Sequence, residues 1–78
     1  MKIIYDDIQA ERNRQDQKWG AVHDSDHTPS EWYEILDTYS KKAAIDAQDR
    51  DFGDARRRYI QVAALAVAAV EALDRKRE

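Results

Sequence analysis

The sequence predicts an all-α domain, a small bundle of about three helices. Three observations point to it. Two glycines and one proline in 78 residues suit a mostly helical chain. Apolar residues recur at helical spacing, as in Trp32, Leu36, Tyr39, Ala43 and Ala47. Thr28-Pro29-Ser30-Glu31 combines an N-cap threonine, a proline at the first helical position and a glutamate three residues after the cap.

The first helix is expected over residues 3–19, with Gly20 as its stop. Its stripe reads Ile4, Ile8, Glu11, Gln15, Trp19, so two polar residues stand where apolar ones belong. Pairs four apart, Glu11 with Gln15 and Arg12 with Asp16, support the helix locally. Residues 20–28 read as a polar loop. The second helix starts at the Thr28 cap and buries the stripe named above, flanked by Ile35. Asp46 falls beside that stripe and Ile45 on the opposite, charged face. A short break is expected at residues 51–54, around Phe52-Gly53. The third helix then runs from near Asp54 to about Arg75, with the face Tyr59, Val62, Ala66, Ala69, Val70 and Leu73. Ala63, Ala64, Leu65, Val67 and Ala68 are apolar too. A helix apolar nearly all round is buried on more than one side, and in a domain this small a second subunit most easily covers the extra side.

Size agrees with that expectation. The 78 residues form a single domain, near the lower limit for a self-sufficient core. With 42% hydrophobic residues and a mean hydropathy of −0.91, the core must be thin. There are no cysteines, which excludes disulfides and thiolate metal sites and suits a reducing cytoplasm. Helix packing and homo-oligomerisation remain as sources of stability. A net charge of −3 argues against a general nucleic-acid binder. The start Met-Lys-Ile-Ile-Tyr-Asp-Asp has no signal-peptide pattern. The longest apolar run, residues 62–70, falls far short of the roughly 20 residues of a membrane span.

Ile8-x-x-Glu11-Arg12-x-Arg14-Gln15-x-x-Lys18-Trp19-Gly20, followed by His23, resembles small phage and prophage proteins related to the all-α NTP pyrophosphohydrolase (MazG-like) superfamily. Trp32-x-x-Ile35-Leu36 and the segment from Val62 to Arg75 fit the same pattern. The loop over residues 23–28 is similar to a neighbouring group of phage proteins. The resemblance covers most of the chain; its first block is the specific part. It implies a helical scaffold that, in active members, splits nucleoside triphosphates into monophosphate and pyrophosphate. Those members hold Mg²⁺ with Glu-Glu-x-x-Glu on one helix and Glu-x-x-Asp on the next, because Mg²⁺ takes hard oxygen ligands and bridges phosphates. This chain departs there. After Ile35-Leu36 it reads Asp37-Thr38-Tyr39-Ser40-Lys41-Lys42. On the third helix it reads Arg58-Tyr59-Ile60-Gln61. Arginine and glutamine cannot replace two carboxylates. A relocated set, Glu31 and Glu34 with Glu71 and Asp74, would sit at similar heights, but the helical wheel turns Glu34 and Glu71 toward solvent.

The remaining candidates each have two readings. Glu11, Gln15 and Lys18 form either a ligand-binding strip, with Lys18 available for phosphate, or a buried polar network that fixes helix register. His23, Asp24, Asp26 and His27 are either divalent-metal ligands or loop residues leading into the Thr28 cap. Arg56, Arg57 and Arg58 occupy the first turn of a helix, where the backbone already carries partial positive charge. They await either a phosphate-bearing ligand or an acidic protein surface, or they pair with Asp46, Asp49, Asp51 and Asp54. The function expected is therefore non-catalytic: a phage or prophage accessory protein on an NTP-pyrophosphohydrolase-like scaffold, without a cofactor. Its partner would be a host protein, in a role that counters a defence system, or a phosphorylated nucleotide. The alternatives are a divergent Mg²⁺-dependent nucleotide pyrophosphohydrolase and a structural phage component.

Overall fold

The computed structural model describes the backbone of residues 2–25 and 27–77 and the side chains of residues 3–19 and 27–76. Three helices make up the regular structure of the described residues: α1 (Lys2–Ser25), α2 (Pro29–Gln48) and α3 (Phe52–Arg77). The protein is all-α, as its sequence predicts. Among the described residues no helix is long and apolar enough to cross a membrane.

The α2 start forms as expected. The Glu31 N–H donates to the Thr28 hydroxyl at 3.1 Å, and the Thr28 N–H donates to the Glu31 carboxylate at 2.7 Å, with Pro29 opening the helix. His27 lies edge-on to Trp32 at 4.9 Å between ring centroids. The residue before the cap thus grips the fourth residue of the helix and fixes the angle at which the chain enters.

Two boundaries differ from expectation. Helix α1 does not stop at Gly20 but continues to Ser25. A helical glycine costs about 1 kcal/mol relative to alanine. It ends a helix only where the backbone turns left-handed there. The second break lies earlier than expected, at residues 49–51, and Phe52-Gly53 belong to the first turn of α3. Two caps, back to back, cause this. The Arg50 N–H donates to the Ala47 carbonyl at 3.1 Å and the Asp51 N–H to the Asp46 carbonyl at 2.8 Å, the paired bonds of a Schellman ending. Arg50 takes the left-handed conformation this requires, at φ 61°. Asp51 then caps α3, its side chain accepting from the Asp54 N–H at 3.3 Å and its carbonyl from the Ala55 N–H at 2.9 Å.

Helix α3 is the centre of the fold. Both α1 and α2 pack on it, and among the described residues the backbones of α1 and α2 do not touch. The two flanking helices close over one side of α3 only. Among the described residues the buried apolar ones are Ala43 of α2 and Ala55, Ala64, Leu65, Ala68 and Ala72 of α3. On α2 the expected stripe faces inward, with Ala43 buried, Trp32, Ile35, Leu36, Tyr39 and Ala47 half-buried, and Ile45 exposed on the far side.

On α3 the buried face is not the expected one. Val62 and Ala69 are half-buried, but Tyr59, Ala66, Val70 and Leu73 are exposed. Periodicity cannot choose a face on a helix that is apolar all round. Packing turns inward the residues at 64, 65, 68 and 72, where three alanines let two helices approach closely. Glu71 is exposed, as its place on the helical wheel predicts, and from the rim of the α1 seam it accepts from Arg12 at 3.0 Å.

Candidate functional site

The seam between α1 and α3 is polar. Gln15 is 3% exposed and Arg12 6% exposed, and both are held by hydrogen bonds. The Gln15 side-chain amide donates to Glu11 Oε2 at 3.0 Å and accepts from Arg12 Nη1 at 3.4 Å. Arg12 also donates through Nη2 to Asp16 at 2.6 Å and to Glu71 at 3.0 Å. Glu11 in turn accepts from Arg14, Nη2 at 2.6 Å and Nε at 2.9 Å. One connected chain, Arg14–Glu11–Gln15–Arg12–Glu71, therefore runs along α1 and crosses to α3. It answers why Glu11 and Gln15 stand on the inward stripe of α1: each satisfies the other and a guanidinium, as buried polar groups must.

These contacts shift the titrating groups. The hydrogen bond from Arg14 holds the Glu11 carboxyl below its ordinary value of 4.5; burial opposes this, and the Gln15 amide and the Arg14 charge add to it. Burial works against the charged Arg12, but its bonds to Glu71 and Asp16 outweigh that and raise it further.

Where this seam opens toward the start of α3 lies a groove of about 330 Å³, lined by Asp7, Ala10, Glu11 and Arg14 of α1 and by Gly53, Arg56, Arg57 and Ile60 of α3. Three guanidinium groups reach it. Each has a carboxylate partner: Arg14 has Glu11, Arg56 has Asp7 at 2.8 Å, and Arg57 has Asp54 at 3.3 Å. The last two pairs are about half exposed on both sides, whereas the Glu11 side chain is only 13% exposed. The groove thus has one firm wall and two guanidiniums on exchangeable surface pairs.

The structure brings three of the sequence candidates together here, Glu11, Arg56 and Arg57, with Gln15 directly behind Glu11. It separates the other two. Lys18 lies with its ammonium over the Trp19 ring, 5.1 Å from the centroid, and does not line the groove. Arg58 points to the opposite flank of α3, where its Nε donates to Asp46 at 2.6 Å. The groove also contains Asp7 and Arg14, which the sequence reading did not single out. A signal for them exists: Asp7, Ala10, Glu11 and Arg14 are spaced three, four and seven residues apart, one face of a helix.

The carboxylates considered for a metal do not gather. Glu31 is bound into the α2 cap, Glu71 accepts from Arg12, and Glu34 and Asp74 are exposed. Among the described residues no group of three histidine, cysteine, aspartate or glutamate side chains is placed to hold a metal ion. Among the described residues the carboxylates do not form the donor set that holds Mg²⁺ in the pyrophosphohydrolases. Of the histidine–aspartate loop, the side chains of His23, Asp24 and Asp26 lie outside the described residues. His27 packs on Trp32 with Nδ1 4.0 Å from Glu31. Comparison of the chain with protein-family models, curated proteins and solved structures finds no match, so the groove is read from its own chemistry.

Proposed function

We propose that the protein is a non-catalytic binding protein whose α1–α3 groove takes a phosphate-bearing small molecule, a nucleotide being the class that best fits its size and charge. The observation that carries this reading is the convergence of Arg14, Arg56 and Arg57, from two helices, on one open groove; because α3 begins at Phe52, Arg56 and Arg57 stand in its second turn and not in the first turn expected from the sequence. Guanidinium forks match phosphate oxygens two at a time. Taking up a phosphate means exchanging the Asp7 and Asp54 contacts for it. Half-exposed ion pairs are worth only about 0–1 kcal/mol each, so the exchange costs little. Glu11 stays in place, because Gln15 holds it from behind, and it keeps Arg14 aimed at the groove. Ile60 and Ala10 offer the apolar contact a base or sugar needs.

The cellular setting belongs to the same proposal. It is that of a phage or prophage accessory protein in the host cytoplasm, on an NTP-pyrophosphohydrolase-like scaffold whose metal carboxylates are replaced. A host protein is the second reading. It is favoured by large apolar side chains that the protomer leaves exposed on α1 and α2, among them Ile3, Tyr5, Tyr33 and Ile45. Catalysis by a divergent pyrophosphohydrolase would need carboxylates brought together across α2 and α3, which the described residues do not provide.

Calorimetric titration with a panel of nucleoside mono-, di- and triphosphates tests the proposal. The expected result is binding that weakens with salt and falls at least tenfold in Arg57→Ala and in Arg14→Ala, with Lys18→Ala and Arg58→Ala unaffected. Loss in the last two alone would move the site elsewhere. Pyrophosphate release from any triphosphate in Mg²⁺ would overturn the non-catalytic reading.

A further inference from the structure

Among the described residues α3 leaves more large apolar side chains exposed than α1 or α2: Phe52, Tyr59, Val67, Val70 and Leu73. Phe52, Tyr59, Ala66 and Leu73 follow one another at intervals of seven residues, and Val70 lies four beyond Ala66, so all five share one stripe. Phe52, Tyr59, Val70 and Leu73 are each more than half exposed. The stripe is bulky toward both ends and small in the middle, at Ala63 and Ala66, with Val67 exposed at its edge between Arg56 and Asp74. We infer that this stripe is the interface of a homodimer in which α3 packs antiparallel on α3 of a second copy across a two-fold axis.

Three observations select a second copy as the occupant. The first is area. A folded monomer of 9.1 kDa exposes about 4,900 Å² by the scaling of surface with mass, whereas this chain exposes 5642 Å². The excess of about 700 Å² is close to the roughly 800 Å² that each partner contributes to an interface of standard size. The second is shape. A two-fold axis near residues 64 and 65 sets Ala63 against Ala66 of the partner subunit, where the backbones come closest, and Tyr59 against Val70 of the partner subunit. Bulk meets bulk at a distance from the axis, and small residues meet at it.

The third is charge. Antiparallel pairing places each edge of a stripe against the same edge of its partner. Arg56 and Asp74 share one edge, eighteen residues or about five turns apart. The axis that centres the alanines also brings Arg56, whose Nη2 holds Asp7 of its own chain at 2.8 Å, beside the partner's Asp74 as a second carboxylate, twice per dimer. Parallel pairing would instead stack Tyr59 on itself. Because Arg56 also borders the α1–α3 groove, the dimer sets a carboxylate of the second subunit at the rim of that groove.

The chain has no cysteine of its own, so single cysteines report the geometry cleanly. The mass of the full-length protein in solution is measured first, by light scattering; twice 9.1 kDa is expected. Tyr59→Cys and Val70→Cys proteins are then oxidised separately and as a mixture. In the proposed dimer like residues lie about 16 Å apart along the helices, beyond the about 7 Å limit for a disulfide. The mixture should therefore cross-link into heterodimers while each protein alone stays uncross-linked. A monomeric mass overturns the inference. So do homodimers of either single-cysteine protein, which signal parallel pairing, and a dimer that fails to cross-link in the mixture, which signals another surface.

Discussion

Arg12 and Glu11 are neighbours in sequence with opposite charges, and both lie inside the α1–α3 seam. Arg12 is nearly fully buried because three acceptors, on Gln15, Asp16 and Glu71, replace the water it gives up. Glu11 is the more informative of the two because it titrates within reach. Its carboxyl is held below 4.5 in the folded protein, first by the Arg14 hydrogen bond. A depressed folded value means that Glu11 contributes stability in full above its unfolded pKa and loses it as pH falls through the folded one. Glu11→Gln is therefore expected to lower stability by about 1 kcal/mol at about pH 7, the worth of a charge-assisted bond to a half-exposed arginine. The deficit should shrink as pH falls below 4.5 and through the lower folded value. Urea midpoints across that range check it, and a deficit that persists at the acid end would assign the effect to packing instead of charge. At this scale the candidate site was partly legible in the sequence. Glu11 stands out as a charge on an otherwise apolar stripe, and Arg56 and Arg57 stand out as cations close to the helix start expected at Asp54, although α3 begins two residues earlier. Asp7 and Arg14 are unremarkable on a solvent face until the chain turns that face toward α3. The pairing of Arg12 with Asp16 was legible from their spacing and forms at 2.6 Å; its reach to Glu71 was not, because that depends on which side of α3 meets α1.

The hairpin between α2 and α3 shows how element boundaries are decided. Glycine and aspartate around Phe52-Gly53 suggest a break there, yet the chain turns three residues earlier and places a non-glycine residue in the left-handed position. Hydrogen bonding explains the choice. Asp51 is a good N-cap and Arg50 is not, so the Asp51 cap fixes the start of α3 and obliges Arg50 to adopt φ 61°. A β-carbon in that region costs about 1 kcal/mol, which glycine avoids. Arg50→Gly is thus expected to stabilise the protein by about 0.5–1 kcal/mol, with a melting temperature higher by about 3–5 °C. A melting curve that falls instead would mean that the Arg50 side chain contributes more than its backbone strain removes. The α2 cap and the inward face of α2 were legible, since one local signature and one clear apolar stripe determine them. The length of α1 and the rotation of α3 were not. Nothing in the local sequence makes Gly20 turn left-handed, and a helix apolar on every side has no preferred inward face until its neighbours choose one.

For the whole molecule the decisive fact is how little the protomer buries. Among the described residues the core is five alanines and one leucine, and no large side chain is fully buried. The chain is also drawn out, with a radius of gyration of 13.1 Å against about 11.5 Å for a compact domain of its length. Fixing each residue costs about 1–2 kcal/mol of conformational entropy, and a buried methyl group returns only about 0.8 kcal/mol. A flanking pair of helices on a central one leaves Phe52, Tyr59, Val67, Val70 and Leu73 exposed on the outer side of α3, the surface inferred above to meet a second copy. If the second copy covers them, folding and association are one equilibrium, and stability depends on concentration. Each tenfold rise in protein concentration then adds about 1.4 kcal/mol per dimer, and the melting temperature should climb by about 3–5 °C per decade. Circular dichroism melts over two decades of concentration measure this directly. Loss of helix and loss of the dimer should coincide in one transition, and Val70→Glu, at a site exposed in the protomer, should lower the melting temperature most at high concentration. A melting temperature that ignores concentration would show that the alanine core holds the three helices together by itself.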